Sequence, residues 1–387
     1  MGSLRLLLAL AVAGGHAASM FGFAGTWIFP GRDAVQIFYM ISGFLIAKIL
    51  NQKYADTPHS NWVFYTNRLA KIFVPYLIIL AATVCVCLVS RAMTGNAILL
   101  DAWFAEAFAM DVPTSAFALL TNILVVGQEW SFLLIYRAGS LFFALNAFEH
   151  QPMASQFIVI LPAWTLSIEL LFYLIAPFIL RRNILLIVAL ALASHCFRLA
   201  SYHFGYYSEA TNYRFFPFEL SLFLYGAVIF RLGKLLIPSD PRWCAQLALL
   251  IAVAVIFPPR LFRGSHYGLY VLIGLALPAL LDFSRRHDWD IRLGQLSYPL
   301  YLVHWPIGAC LASALDPRWI GKNPAFPVLA VLASVAAAVL LNRYVIAPVD
   351  RWRQARVRSA DAPPELAVAG VSTASWRRWR RSAASTS

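Results

Sequence analysis

Apolar runs recur along almost the whole of this chain, and that recurrence constrains its fold more than any other feature. A bilayer core is about 30 Å thick, so a helix rising about 1.5 Å per residue needs about 20 residues to cross it. Only helices and closed barrels satisfy their own backbone groups there. Candidate spans read as the first segment, LRLLLALAVAGGHAASM, then 34–50, 72–90, 157–180, 184–201, 216–230, 244–257, 267–283, 291–314 and 326–347. Composition agrees: 60% of the 387 residues are hydrophobic and 13% are charged, against roughly a quarter charged in soluble domains. The expected fold is all-α, a polytopic membrane bundle of about ten helices.

Charge placement orients it. Lysine and arginine outnumber acids 31 to 18, for a net charge of +13, which in a soluble protein would raise nucleic acid as a partner. Here the basic residues flank apolar runs or sit in the tail, as the positive-inside rule predicts, so no nucleic acid is expected. Counting 114–136 as a single span would move Arg181, Arg182, Arg231, Lys234, Arg285, Arg286 and the basic tail outside. The segment 93–156 is therefore expected on the outer side, its apolar part on or in the membrane surface, with both termini cytoplasmic. The first segment resembles a secretory signal, but its apolar character resumes through Phe21, Phe23, Trp27 and Ile28, and it reads as a retained helix. Residues 1–350 form one membrane domain. The tail, 351–387, turns to Arg, Ala, Ser and Pro and reads as disordered, with two readings open for Trp376 to Arg381: resting on anionic lipid, or solvated. The five cysteines show neither metal-type nor paired spacing, so neither metal nor disulfide is expected.

Ionisable side chains deep in apolar segments are functional candidates by default. His16 lies eleven positions after Arg5, about 16 Å along a helix, and rise arithmetic puts Glu169 and His304 near the same midplane depth. Three such groups at one depth predict one polar cavity, although each could instead be a hydrogen-bonded structural residue. Glu169 has Trp164, Thr165 and Tyr173 within a helical turn. Arg5, Arg68 and Lys71 stand at the cytoplasmic mouth. Arg68 and Lys71 are one turn apart in NRLAKIFVPY, and repel each other unless an anion lies between them. Ordinary positive-inside flanking is the other reading of that pair. Arg32 and Asp33 close the outer end of the second span, where a local ion pair would explain them.

Those residues sit in five motifs that run in order over nearly all of residues 1–350: Arg5 with His16; IFYMISGFLIA, containing Ser42; NWVFYTNRLAKIFVPY; WTLSIELLFY, Trp164 to Tyr173; and LGQLSYPLYLVHWPI, containing Tyr298 and His304. In this the chain resembles the acyltransferase 3 family of integral membrane acyltransferases. The resemblance implies an O-acyltransferase of the bacterial inner membrane, moving an acyl group, by default acetyl from acetyl-CoA, to a hydroxyl of an exopolysaccharide or lipopolysaccharide sugar. The expected partners are acyl-CoA, a glycan or lipid-linked glycan acceptor, and membrane lipid, with no bound cofactor. It further implies that Arg5, Arg68 and Lys71 hold the donor's phosphates and that His16 is catalytic, deprotonating the acceptor hydroxyl or transiently taking the acyl group, with Glu169 orienting its ring or stabilising its charged form. Asp33, Ser42, Trp164, Tyr173, Tyr298 and His304 are expected to line the cavity. Lys71 departs from the family's usual second arginine, and the chain leaves no room for an appended SGNH-type domain.

A transporter or flippase is the rival from another class, but no matched pair of Gly/Pro-broken segments supports one. Two other membrane acyltransferase families are disfavoured. No histidine is followed five residues later by aspartate, and no asparagine lies between Asn212 and Asn323, ahead of His304.

Overall fold

The computed structural model describes residues 1–23, 29–52, 60–106, 108–150, 152–206, 208–236, 267–315 and 321–360. The expected span at 244–257, and 361–387 of the tail, lie outside them. Helices α1 (Gly2–Met20), α2 (Gly31–Gln52) and α3 (Ser60–Thr94) come first. Between α3 and the next long helix lie α4 (Asp101–Glu106), α5 (Val112–Leu124) and a hairpin of β1 (Leu134–Arg137) with β2 (Ser140–Phe143). There follow α6 (Trp164–Ile179), α7 (Ile184–His203), α8 (Glu209–Arg214), α9 (Phe216–Leu236), α10 (Tyr267–Arg286), α11 (Asp288–Gln295), α12 (Ser297–Ser313), α13 (Ala325–Leu341) and α14 (Ala347–Ala360). Eight helices among the described residues are long and apolar enough to span a membrane. The 13 residues of α5 are too few to cross.

Boundaries differ from expectation where polar segments stay helical. The third span begins at Ser60, not residue 72, because the polar turn carrying Arg68 and Lys71 continues the helix and faces inward. The expected 157–180 span starts at Trp164, after short 3-10 turns that include Pro162. The 291–314 run divides at Leu296 into α11 and α12. Past Leu341 a π turn, Asn342–Ile346, leads into α14, which carries helix beyond the tail boundary at 350; there Asp350 pairs with Arg353, and Arg356 donates to Thr66 on α3 at 3.4 Å.

Glycine lets α2 and α9 approach closely. A Cβ on Gly43 would stand 1.9 Å from the Phe223 carbonyl oxygen, and one on Gly226 would stand 2.0 Å from that of Met40. The two backbones therefore touch. Around them Phe223 stacks on Phe172 at 4.2 Å and on Tyr39 at 4.8 Å. Outward, Leu77, Val86 and Val89 of α3 and Leu332 and Leu340 of α13 stay exposed, as side chains that meet lipid should.

The start of α1 is fixed from across the bundle. Asp290 on α11 accepts from the Gly2 and Ser3 backbone amides at 2.7 and 2.8 Å and from the hydroxyls of Ser3 and Ser284. Burial alone would push its carboxyl up. The hydrogen bonds outweigh that and hold it well below the usual carboxylate range.

Candidate functional site

Two cavities open along the face of α1 that carries Arg5 and His16. Eleven residues turn a helix through about three full turns, so both side chains share one face about 16 Å apart. Arg5 borders an inner chamber and His16 an outer one.

The inner chamber is cationic. Arg5, Arg68 and Lys71 converge on it with Ser42, Glu169, Tyr173 and Tyr298. Arg68 is buried beneath the rings of Phe64 and Tyr173, each 5.8 Å away, and its Nε has no hydrogen-bond partner among the described residues. Pro75 removes the amide that the Lys71 carbonyl would otherwise take, and Tyr298 donates to the next carbonyl, Ile72, at 2.9 Å. Glu169 accepts from Ser42 at 2.9 Å and from Tyr173, leaving three cations with one carboxylate between them.

The outer chamber is built around an imidazole pair. His304 Nδ1 lies 3.2 Å from the Leu300 carbonyl, and His16 Nδ1 lies 2.9 Å from His304 Nε2. A carbonyl only accepts, so His304 carries its proton on Nδ1 and offers a lone pair at Nε2. His16 must then donate from Nδ1, which leaves a lone pair on its own Nε2. The rings stack with centroids 5.2 Å apart, and Trp305 meets His16 edge-on at 5.4 Å. Trp164 and Tyr213 form much of the remaining wall. Arg214 lies 4.0 Å from the Phe132 ring and 4.4 Å from that of Trp164, and pairs with Glu209 at 2.6 Å.

One expectation is corrected here. His16, Glu169 and His304 do not share a single cavity, and Glu169 does not orient His16: its partners are Ser42 and Tyr173, while His16 is held by His304. Glu169 lies one turn beyond Thr165 on α6, about 6 Å further toward the Arg5 end. Two more expected lining residues stand elsewhere. His304 is buried behind His16, and Asp33 borders neither chamber. Asp33 belongs to a buried polar network in which the Tyr270 hydroxyl lies 2.6 Å from both Asp33 and Gln36. Gln36 donates to Glu219 at 3.0 Å, and Arg198 pairs with Glu219 at 2.8 Å. Ser42, Tyr173 and Tyr298 line the inner chamber and Trp164 the outer one.

Sequence reasoning missed Glu209, Tyr213 and Arg214, which the short helix α8 delivers to the outer chamber. Their one signal was a Glu and an Arg five residues apart in EATNYR. It also passed over Tyr301, one turn before His304. Among the described residues no group of three His, Cys, Asp or Glu side chains is placed to hold a metal ion.

The chain matches the acyltransferase 3 family profile, described as an acyltransferase domain, over residues 2–343. Among curated proteins it is similar to the "Putative membrane-bound transacylase BcsY" of Komagataeibacter xylinus, with 26% identity over 304 residues, covering 73% of this chain and 68% of that protein. No solved structure matches it.

Proposed function

This chain belongs to the acyltransferase 3 family, and from that premise we propose that it moves an acetyl group from cytoplasmic acetyl-CoA to a hydroxyl of a bacterial exopolysaccharide or lipopolysaccharide sugar in the inner membrane. The observation that carries the reading is the pairing of a cationic chamber with a second chamber that presents an imidazole lone pair, the two meeting at one wall.

In this mechanism the donor enters the inner chamber from the cytoplasm. Arg5 and Arg68 grip its phosphates as planar forks and Lys71 as a point charge. Glu169 offsets one of the three cations and orders Ser42 and Tyr173, so the chamber keeps a net affinity for anions without being saturated from within. The acceptor hydroxyl enters the outer chamber and gives its proton to His16 Nε2, and its oxygen attacks the thioester carbon. Proton transfer of this kind contributes about 10²- to 10⁴-fold. His304 holds the His16 ring in the tautomer that the step needs.

Purified protein in detergent tests this. The parent is expected to bind acetyl-CoA and release free CoA slowly, with water as the stand-in acceptor. Arg68→Ala should weaken binding about tenfold or more, the worth of hydrogen bonds to a charged group. His16→Ala should bind acetyl-CoA normally and release no CoA above background. A well-folded parent that fails to bind acetyl-CoA would sink the donor site.

A further inference from the structure

The wall between the chambers is polar. Val35, Thr165 and Tyr301 border both cavities. Thr165 Oγ1 and Tyr301 Oη lie 2.7 Å apart, and both reach the Pro162 carbonyl, at 3.1 and 2.9 Å. Both side chains are buried.

Two hydroxyl protons here meet a single carbonyl. One proton satisfies Pro162; the other is held by the neighbouring hydroxyl, which has lone pairs to spare. A proton held in that way can turn onto a third acceptor without leaving a buried group unpaired. The Tyr301 ring lies 5.7 Å from that of His304, so the hydroxyl pair and the His16 base border the same space. On its other side the pair faces the chamber that would hold the donor.

We infer that Tyr301, backed by Thr165, is a catalytic residue that stabilises the oxyanion formed when the donor's thioester is attacked. The inference rests on the acyltransferase reading above. As the acceptor oxygen bonds to the thioester carbon, its proton passes to His16 Nε2 and the carbonyl π pair moves onto oxygen, where the Tyr301 O–H donates to it. Thr165 turns from the Pro162 carbonyl, which keeps a backbone N–H, to donate to Tyr301 Oη, and a chain of two hydrogen bonds polarises the terminal donor. Collapse restores the C=O bond and breaks the C–S bond, and the departing thiolate takes the proton back from His16. One ester and one thiol result, with every proton accounted for.

Tyr301→Phe and Thr165→Val remove the hydroxyls and little else. The readouts are free CoA released from acetyl-CoA with water as acceptor, the acetyl-CoA dissociation constant, and the melting temperature in detergent. Removing one oxyanion donor costs about 10²- to 10³-fold in kcat, so Tyr301→Phe should lose about 100-fold with acetyl-CoA affinity within about twofold of the parent. Thr165→Val should lose about tenfold and Thr165→Ser almost nothing, since the one relieves and the other keeps the polarising hydrogen bond. A role confined to capping the Pro162 carbonyl would lower the melting temperature and leave kcat alone. That pattern overturns the proposal, as does a Tyr301→Phe rate within about threefold of the parent's. If Tyr301→Phe does not fold, equal rates for Thr165→Val and Thr165→Ser overturn it as well. A folded parent that neither binds nor turns over acetyl-CoA overturns the underlying reading, and this one with it.

Discussion

Replacing His304 with leucine should disarm His16 without touching the donor site. The substitution removes the acceptor that holds the His16 Nδ1 proton at 2.9 Å. A buried N–H left without a partner costs about 1–3 kcal/mol. His16 relieves that cost by moving its proton to Nε2, the position that must carry a lone pair. The balance between the active and the inactive tautomer therefore shifts by about 5- to 150-fold, and kcat should fall by up to that factor. His304 is buried behind His16, away from the inner chamber, so acetyl-CoA affinity should hold. The assay pairs CoA release with acetyl-CoA binding, measured for the parent, His304→Leu and His304→Gln. Glutamine offers a carbonyl acceptor on a side chain of similar reach, and is expected to recover part of the rate. An unchanged kcat in His304→Leu would refute the tautomer argument. So would a loss of donor affinity equal to the loss of rate, which would make His304 a packing residue.

Two further outcomes follow from the frame. Gly43→Ala puts a Cβ 1.9 Å from a backbone oxygen, which no side-chain adjustment relieves, so α2 and α9 must separate; the melting temperature and monodisperse yield in detergent should fall sharply, as overpacking penalties of about 1–3 kcal/mol or more imply. Asp290→Asn should destabilise at pH 7, and the gap to the parent should close as pH drops: because the folded carboxyl is held below its unfolded value of about 3.9, its contribution is present above that pH and is lost as pH falls toward the folded value. A gap constant from pH 7 to pH 3 in thermal melts would remove Asp290 from the anchoring of α1.

How much of this was legible beforehand depends on which coordinate is asked for. Apolar runs located the helices because lipid demands length and composition, and both are written in the sequence. Height along a helix was readable too: Arg5 and His16 stand as their spacing requires. Lateral position was not. Glu169 and His16 read as neighbours because each lay deep in its own segment, yet the neighbours of α6 and α1 decide their partners, and no single-segment count contains that. Hydropathy also hid the half-polar elements. EATNYR reads as a loop between apolar runs, so Arg214 could not be assigned to a chamber. The helical start at Ser60 was obscured because the polar turn holding Arg68 and Lys71 looks like the end of a span when it is in fact the lining of a cavity.

The shared face of α1 works as a ruler. Its pitch is fixed by the backbone hydrogen-bond ladder and its first turn is anchored by Asp290, so the gap of about 16 Å between Arg5 and His16 varies little. On the function proposed above, the donor spans that gap with its charge at one end and its acyl carbon at the other. A compact acyl phosphate has its phosphorus and its acyl carbon only two bonds apart and would reach either end but never both. On that same function, a donor with a long, flexible arm fits the spacing, and the substrate would be selected by length before any contact to the acyl group is made.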